Sequence, residues 1–253
     1  MLAKILEHKY REVASAKEQR PIEQLLELIE VGTFAFQAAL TNTEWGLIAE
    51  CKLASPVKGL LCTEHSVSEL ARIYTENGAT ALSVLTDVHF KGSLEHLAAV
   101  REVSSLPLLR KDFIVDAYQI YEARCAGADA VLLIAGALAA AQLQEYLDIA
   151  RSLRMNCLVE VHTREELDQV LETSAQIIGI NNRDLKTFVT NLDNTFALLP
   201  YCGDRIVISE SGVSTGADAL RLKKAGARGV LVGEGLVKAQ DIAAKTRELA
   251  III

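Results

Sequence analysis

The sequence predicts an α/β fold, a (β/α)8 TIM barrel with an N-terminal helical extension, on three observations. Short apolar runs alternate with amphipathic helical stretches, the pattern of a parallel sheet covered by helices. A segment recurs as NGATALSVL at Asn77, AGADAVLLI at Ala126 and AGARGVLVG at Ala225. Each copy ends a helix on a glycine, passes through alanine and enters a buried strand. Its glycines, Gly78, Gly127 and Gly226, lie 49 and 99 positions apart, close to two and four units of about 25 residues. Eight such units fill a chain of 253 residues, near the barrel's usual length of about 250. A doubly wound open sheet is the competing topology, but no G-x-G-x-x-G follows the first strand.

Taken in order, residues 1–44 read as helical material broken at Pro21 and again near Gly32. The barrel, 45–253, follows within one domain. Its strands are expected at Leu47 to Lys52, Ala81 to Thr86, Pro107 to Lys111 and Ala130 to Ile134, then at Cys157 to Val161, Ile177 to Asn181, Ile206 to Glu210 and Gly229 to Val232. Helices fill the gaps, two of them opening on a capping box, Ser66 with Glu69 and Thr163 with Glu166. The apolar end, Leu249 to Ile253, suits a covered barrel bottom, a partner surface or a frayed tail alike.

Composition bounds the function. With 50% hydrophobic and 23% charged residues, one large core is within reach. A net charge of -7 argues against a nucleic-acid or anionic membrane partner, since both need a positive surface. The longest apolar run, Ala130 to Ala141, falls short of the roughly 20 residues that span a bilayer. The N-terminus mixes charges on a helical pattern and lacks the uncharged core of a signal peptide, so a cytoplasmic protein is expected. Five scattered cysteines without Cys-x-x-Cys read as reduced thiols. The five histidines, His8, His65, His89, His96 and His162, share no ligand spacing and read as surface or capping residues.

In a barrel, inward positions alternate along each strand, and catalytic groups gather at the strands' carboxyl ends. The stretch AECKLASPVKG places Glu50 and Lys52 two residues apart on one face of the first strand. Lys111 ends the third strand, Glu160 the fifth, Asn181 the sixth and Glu210 the seventh. Each of these four is preceded two positions earlier by a small or apolar residue: Leu109, Leu158, Gly179 and Ile208. A lone charged strand tip is commonly just solvated, but five strands in phase describe a polar ring over an apolar interior. The last two loops add Ser211-Gly212 and Gly233-Glu234-Gly235. Their backbone N–H groups can converge on an anion, and Leu236 to Ala239 is expected to form a short helix behind them. A small phosphorylated substrate follows, since barrels commonly hold phosphate there.

These residues carry a resemblance. AECKLASPVKG, SVLTD, LRKDFIVDAYQIYEARCAGADAVLLI, LVEVHT, IIGINNRDLKTF, VISESGV and GVLVGEGL, in this order from Ala49 to Leu236, are similar to the indole-3-glycerol phosphate synthase family of tryptophan biosynthesis. The resemblance implies that 1-(2-carboxyphenylamino)-1-deoxyribulose 5-phosphate closes to an indole with loss of carbon dioxide and water, without metal or organic cofactor. It implies Lys111 as the general acid for ring closure and Glu160 as the base for dehydration. Glu50 and Lys52 are the assisting pair, Lys52 also holding the substrate's carboxylate or phosphate. Asn181 is expected on a substrate hydroxyl and Arg183 on the carboxylate. Glu210 matches the family's SESG glutamate; Ser211, Gly212 and Gly233, with Glu234 beside them, match its phosphate positions. Ser55-Pro56 would shape the loop over the site, and Phe113 would pack on the aromatic ring. A depressed Lys111 pKa, from neighbouring cations or apolar walls, would make it a readier donor. The chain departs from the family's pattern at Val57, Val88 and Val189. It is expected to act as a monomer or weak homo-oligomer. A Schiff-base aldolase barrel would use a similar lysine, carboxylate and phosphate set, and a catalytically silent phosphate-binding barrel the same loops.

Overall fold

The computed structural model describes residues 2–184 and 189–252; the LKTF part of the GINNRDLKTF motif, 185–188, and residues 1 and 253 lie outside the described residues. Among the described residues the barrel strands run β1 (Gly46–Cys51), β2 (Ala81–Leu85), β3 (Leu108–Lys111), β4 (Ala130–Ile134), β5 (Asn156–Val161), β6 (Ile177–Asn181), β7 (Ile206–Glu210) and β8 (Gly229–Val232). Every neighbouring pair is parallel, and β1 pairs with both β2 and β8, so the barrel closes. Lys52 and Thr86 fall one residue past the ends of β1 and β2, not inside them as expected. After β1 the chain leaves the barrel ladder and turns back on itself, pairing Ala54 with Leu60 and Ser55 with Gly59 around the Ser-Pro turn.

Side-chain alternation sorts the interior. Ile48, Leu109, Leu158 and Ile208 point inward into one apolar cluster with Ala81, Leu132, Ile177 and Leu231. Their strand neighbours Leu47, Val131, Val159 and Val207 point outward into the larger core beneath the helices. Ile48, Leu109, Leu158 and Ile208 each sit two positions below a polar tip, so the pattern that fills the barrel also aims the functional groups upward.

The extension comprises α1 (Leu2–Gln19), α2 (Ile22–Leu26) and α3 (Ala35–Thr41). Pro21 separates the first two, and the chain passes Gly32 before the third. A Cβ at Gly32 would lie 2.7 Å from the Arg154 carbonyl oxygen, which is why glycine stands there. Phe36 and Leu40 of α3 join the inward cluster and seal the barrel floor. The Gln37 N–H donates to Asn156 Oδ1 at 3.0 Å, and Asn156 Nδ2 donates back to Gln37 Oε1 at 3.2 Å, tying this plug to the start of β5. α1 lies outside the barrel wall, where Val13 packs with Val115 and Tyr118. The Tyr118 hydroxyl closes the end of α1 by donating to the Ala16 and Arg20 carbonyls at 3.2 and 2.8 Å.

The remaining helices are α4 (Val67–Glu76), α5 (Glu95–Arg101), α6 (Tyr118–Cys125), α7 (Ala140–Ser152), α8 (Arg164–Leu171), α9 (Asp193–Leu198), α10 (Gly216–Ala225), α11 (Glu234–Val237) and α12 (Ile242–Leu249). The Ser66–Glu69 capping box forms in full. At α8, Thr163 accepts the Glu166 N–H, while the Glu166 carboxylate takes the His162 N–H at 2.6 Å. Another box, Thr215 with Asp218, opens α10. Gly78, Gly127 and Gly226 all adopt left-handed backbone, φ 93, 88 and 106 degrees, which explains the recurring glycine. α11 starts at Glu234 with Gly233 as its cap, two residues before the expected Leu236. Near the C-terminus Leu249 is buried and its carbonyl accepts the Trp45 Nε1–H at 2.9 Å, while Ile252 is half exposed over Gly78. No helix among the described residues is long and apolar enough to cross a membrane.

Candidate active site

The polar tips surround one cavity of about 220 Å³ at the carboxyl ends of the strands. At its centre the Lys111 Nζ lies 3.4 Å from Glu160 Oε2 and 3.4 Å from Glu210 Oε2, so β3, β5 and β7 meet through one ammonium. On the other side Lys52 Nζ lies 3.1 Å from Glu50 Oε1. Although Lys52 falls past the end of β1, the two-residue spacing still puts both groups on one face. Glycines make the room. A Cβ on Gly179 of β6 would collide with the Glu210 carboxylate, and one on Gly233 with that of Glu50.

Burial and charge drive these groups apart. Burial pushes Glu210 up, and Glu160 adds to it by repulsion and by accepting its proton in a hydrogen bond; against the pull of Lys111 the result is a carboxyl at about 8. Glu160 is also buried, yet Lys111, His162 and hydrogen bonds from Asn181 and Glu210 hold it below the usual range. Glu50 is likewise held low despite burial, by Lys52 and Lys111. At neutral pH the pair therefore carries one proton, resting on Glu210. The expected depression of Lys111 is not what the structure shows. Burial does lower it, but Glu210, Glu160 and Glu50 outweigh that cost and hold its ammonium above the usual lysine range. Its neighbours are carboxylates where cations or apolar walls were expected.

The cavity's other end is built from the loops after β6, β7 and β8. Ser211 and Gly212 turn through left-handed backbone, φ 64 and 83 degrees, and line the cavity with Gly233 and Glu234. Ser211 is a non-glycine in a costly conformation, and Asn182 braces it. The Asn182 Nδ2 donates to Ser209 Oγ, to the Glu210 carbonyl and to the Ser211 carbonyl at 2.9, 2.9 and 3.0 Å. Its Oδ1 accepts from Thr195 N–H and Oγ1. Asn181 Oδ1 accepts the Arg183 N–H at 3.0 Å. Arg183 lines the same end; its Nε is buried without a hydrogen-bond partner among the described residues, and its Nη2 lies 3.9 Å from Glu234 Oε2. Glu234 also meets Lys58 at 2.6 Å and Lys238 at 2.8 Å. Burial opposes its ionisation, but those two lysines bring it down to about 2. Its carboxylate thus ties the loop after β1 to the loop after β8.

An apolar wall completes the site. Phe113 and Phe90 face each other with ring centroids 6.5 Å apart, and Lys52 Nζ lies 5.3 Å from the Phe90 centroid. Ser55, Pro56 and Val57 border the mouth, with Leu132, Ile134 and Ile5 of α1 beneath and beside them. All the residues singled out from the sequence as site candidates line this one cavity.

Sequence reasoning missed others. His162 was expected at the surface or as a cap. Instead its side chain is 10% exposed and lies 3.4 Å from Glu160 and 3.5 Å from Glu166. Its burial would lower it, but the nearby Glu166 and Glu160 carboxylates hold it above the ordinary histidine value. The position two residues after Glu160 was the available signal, being the next place on the same strand face. Asn182 and Lys58 carried no such signal, since their partners come from distant segments.

The chain is similar to known proteins along nearly its whole length. The profile of the family described as Indole-3-glycerol phosphate synthase matches residues 2–249. A protein of that name from Desulforamulus reducens is 49% identical over 258 aligned positions, covering 99% of this chain and 97% of that protein. One from Chlorobium phaeobacteroides is 48% identical over 247, covering 95% and 96%. Among solved structures, 3-hexulose-6-phosphate synthase from Salmonella typhimurium superposes with TM-score 0.67 at 13% identity, covering 81% of this chain and 97% of that one. Thiamine phosphate pyrophosphorylase from Pyrococcus furiosus gives 0.63 at 18%, covering 84% and 96%; at such identities the likeness is one of fold. The profile match and the identity along nearly the whole chain place this protein in the indole-3-glycerol phosphate synthase family.

Proposed function

We propose that the chain closes 1-(2-carboxyphenylamino)-1-deoxyribulose 5-phosphate to indole-3-glycerol phosphate, losing carbon dioxide and water, with the Lys111–Glu160–Glu210 cluster at the centre of the chemistry. The observation that supports this most is that one ammonium touches two carboxyls from different strands, one ionised and one protonated, in a cavity with an aromatic wall at one side and an anion-suited loop pair at the other.

The substrate's phosphate binds against the backbone of Ser211, Gly212 and Gly233, where the first N–H groups of α11 have no intrahelical partner. Its anthranilate ring lies along Phe113 and Phe90, and its carboxylate meets Arg183 and Lys52. Ring closure turns the ketone oxygen into an alkoxide, and the Lys111 ammonium, kept charged by the ionised Glu160 and Glu50, neutralises and protonates it. Loss of carbon dioxide returns the electrons that attacked. In the dehydration, Glu160 takes a proton from the newly closed ring while the Lys52 ammonium gives one to the departing hydroxyl, which leaves as water. Glu50 and Lys52 assist this second step, and Asn181 orients a substrate hydroxyl. Glu210 supplies the proton that Lys111 gives up, since it is the carboxyl still protonated at neutral pH. Ser55 and Pro56 shape the loop over the substrate, and Glu234 acts through the cations it holds. A Schiff base on Lys111 is disfavoured, because that chemistry needs an unprotonated amine.

The test is to mix the protein with the substrate and follow indole fluorescence with carbon dioxide release. Equal yields of both are expected, with inorganic phosphate competing. Binding without indole, or a borohydride-trapped adduct on Lys111 or Lys52, refutes the proposal.

A further inference from the structure

Lys9, on α1, is the one lysine in the chain's first helix that is buried, at 1% exposure. Its ammonium lies 2.9 Å from Asp87 Oδ2, 2.8 Å from Asp112 Oδ1 and 3.0 Å from the Glu12 carboxylate. Asp87 and Asp112 follow the ends of β2 and β3 and are themselves buried. Two buried carboxylates at neighbouring strand ends repel each other, and each costs several kcal/mol, roughly, when unpaired. Arg110 and Thr86 satisfy Asp112 Oδ2 at 3.0 and 2.6 Å, and Arg110 is also spoken for by Glu122 at 2.7 Å. Lys9 is therefore the cation that Asp87 and Asp112 share.

Both aspartates lead directly to the aromatic wall. Asp112 Oδ1, the oxygen that Lys9 holds, also accepts the Phe113 N–H at 2.8 Å. Asp87 Oδ1 accepts the His89 N–H at 2.9 Å and so caps the single turn Val88–Phe90; the His89 ring Nδ1 lies 2.9 Å from the same oxygen. Val88, a departure from the family pattern, opens that turn without disturbing its cap. The turn delivers Phe90, whose ring faces Phe113 and lies beside Lys52. Ile5, one helical turn before Lys9 on the same face of α1, lines the cavity.

We infer that Lys9 is a positioning residue for the aromatic half of the active site: by clamping Asp87 to Asp112 it sets the spacing of Phe90 and Phe113, and with it the affinity for the substrate's ring. It touches no substrate. The extension thereby contributes to substrate recognition through one ion-pair clamp as well as through cover. This inference rests on the proposed function, because it assigns the ring to that wall.

The test compares Lys9→Met with the native chain in three readings: KM and kcat for the substrate, and the inhibition constant of inorganic phosphate. Phosphate probes only the loops after β7 and β8, which contain none of the clamp's residues. The expected result is a KM raised by roughly 10-fold to 10²-fold, a much smaller change in kcat, and an unchanged phosphate constant. Lys9→Arg, which keeps the charge under a bulkier head, should give a smaller rise in KM. A native KM in Lys9→Met overturns the inference, as does a parallel weakening of substrate and phosphate. If Lys9→Met does not fold, Lys9→Arg decides alone: an unchanged ratio of KM to the phosphate constant overturns the clamp. Failure of the native chain to form indole is a separate outcome, which refutes the proposed function itself.

Discussion

Glu160 and Glu210 are the same side chain in the same cavity, and their surroundings assign them opposite protonation states. The sign of the Glu210 shift makes a stability prediction. Its folded value is raised to about 8 from an ordinary 4.5, so between those values the folded chain keeps a proton that the unfolded chain has released. The unfolded state binds fewer protons there, and stability falls as pH rises through that window. Glu210→Gln is neutral in both states and loses this dependence. Thermal unfolding across the window should show the native melting temperature dropping relative to the variant's as pH rises; parallel curves would contradict the assignment. The sequence did reveal that these carboxyls meet, because period-two alternation put each two positions above an apolar residue. It did not reveal their charge states. Lys111 was read as depressed because the carboxyl groups around it come from distant strands, and no local pattern reports that Glu160 and Glu210 meet its nitrogen while Glu50 adds its charge from across the cavity.

At the scale of elements, the barrel strands were legible almost to the residue, since strands buried on both faces read as continuous apolar runs closed by polar tips. Helix ends were legible where chemistry is local, as in the Ser66 capping box and the left-handed glycines. Ser66→Ala should cost about 0.5–2 kcal/mol in chemical denaturation and leave kcat unchanged, because α4 packs outside the barrel, away from the cavity. β6 behaves differently. Gly179 leaves no space for a methyl group beside Glu210, so Gly179→Ala should displace that carboxyl, cost about 1–3 kcal/mol by overpacking and depress kcat. Folding data and turnover for this variant together check both effects; native turnover would show that Glu210 has room to move. The start of α11 was misplaced by two residues because Gly233-Glu234-Gly235 reads as loop, while in the fold Gly233 serves as a helix cap.

For the molecule as a whole, the extension and the barrel act as one device. α3 plugs the floor with Phe36 and Leu40, while α1 reaches the mouth with Ile5 and Lys9. Amphipathic spacing made these helices legible. The lysine's burial was hidden, because Asp87 and Asp112 lie far along the sequence and a lysine on a helix normally reads as solvated. His162 was hidden for a related reason, its burial depending on how α8 folds back over the end of β5. What these elements jointly support is the proposed role of Lys111 as the acid that meets the alkoxide. The most direct measurement is the rate of indole formation by Lys111→Ala beside the native chain, with circular dichroism to show that the fold is kept. The account predicts a loss of about 10²-fold or more in kcat, and near-native turnover in the folded variant would contradict it.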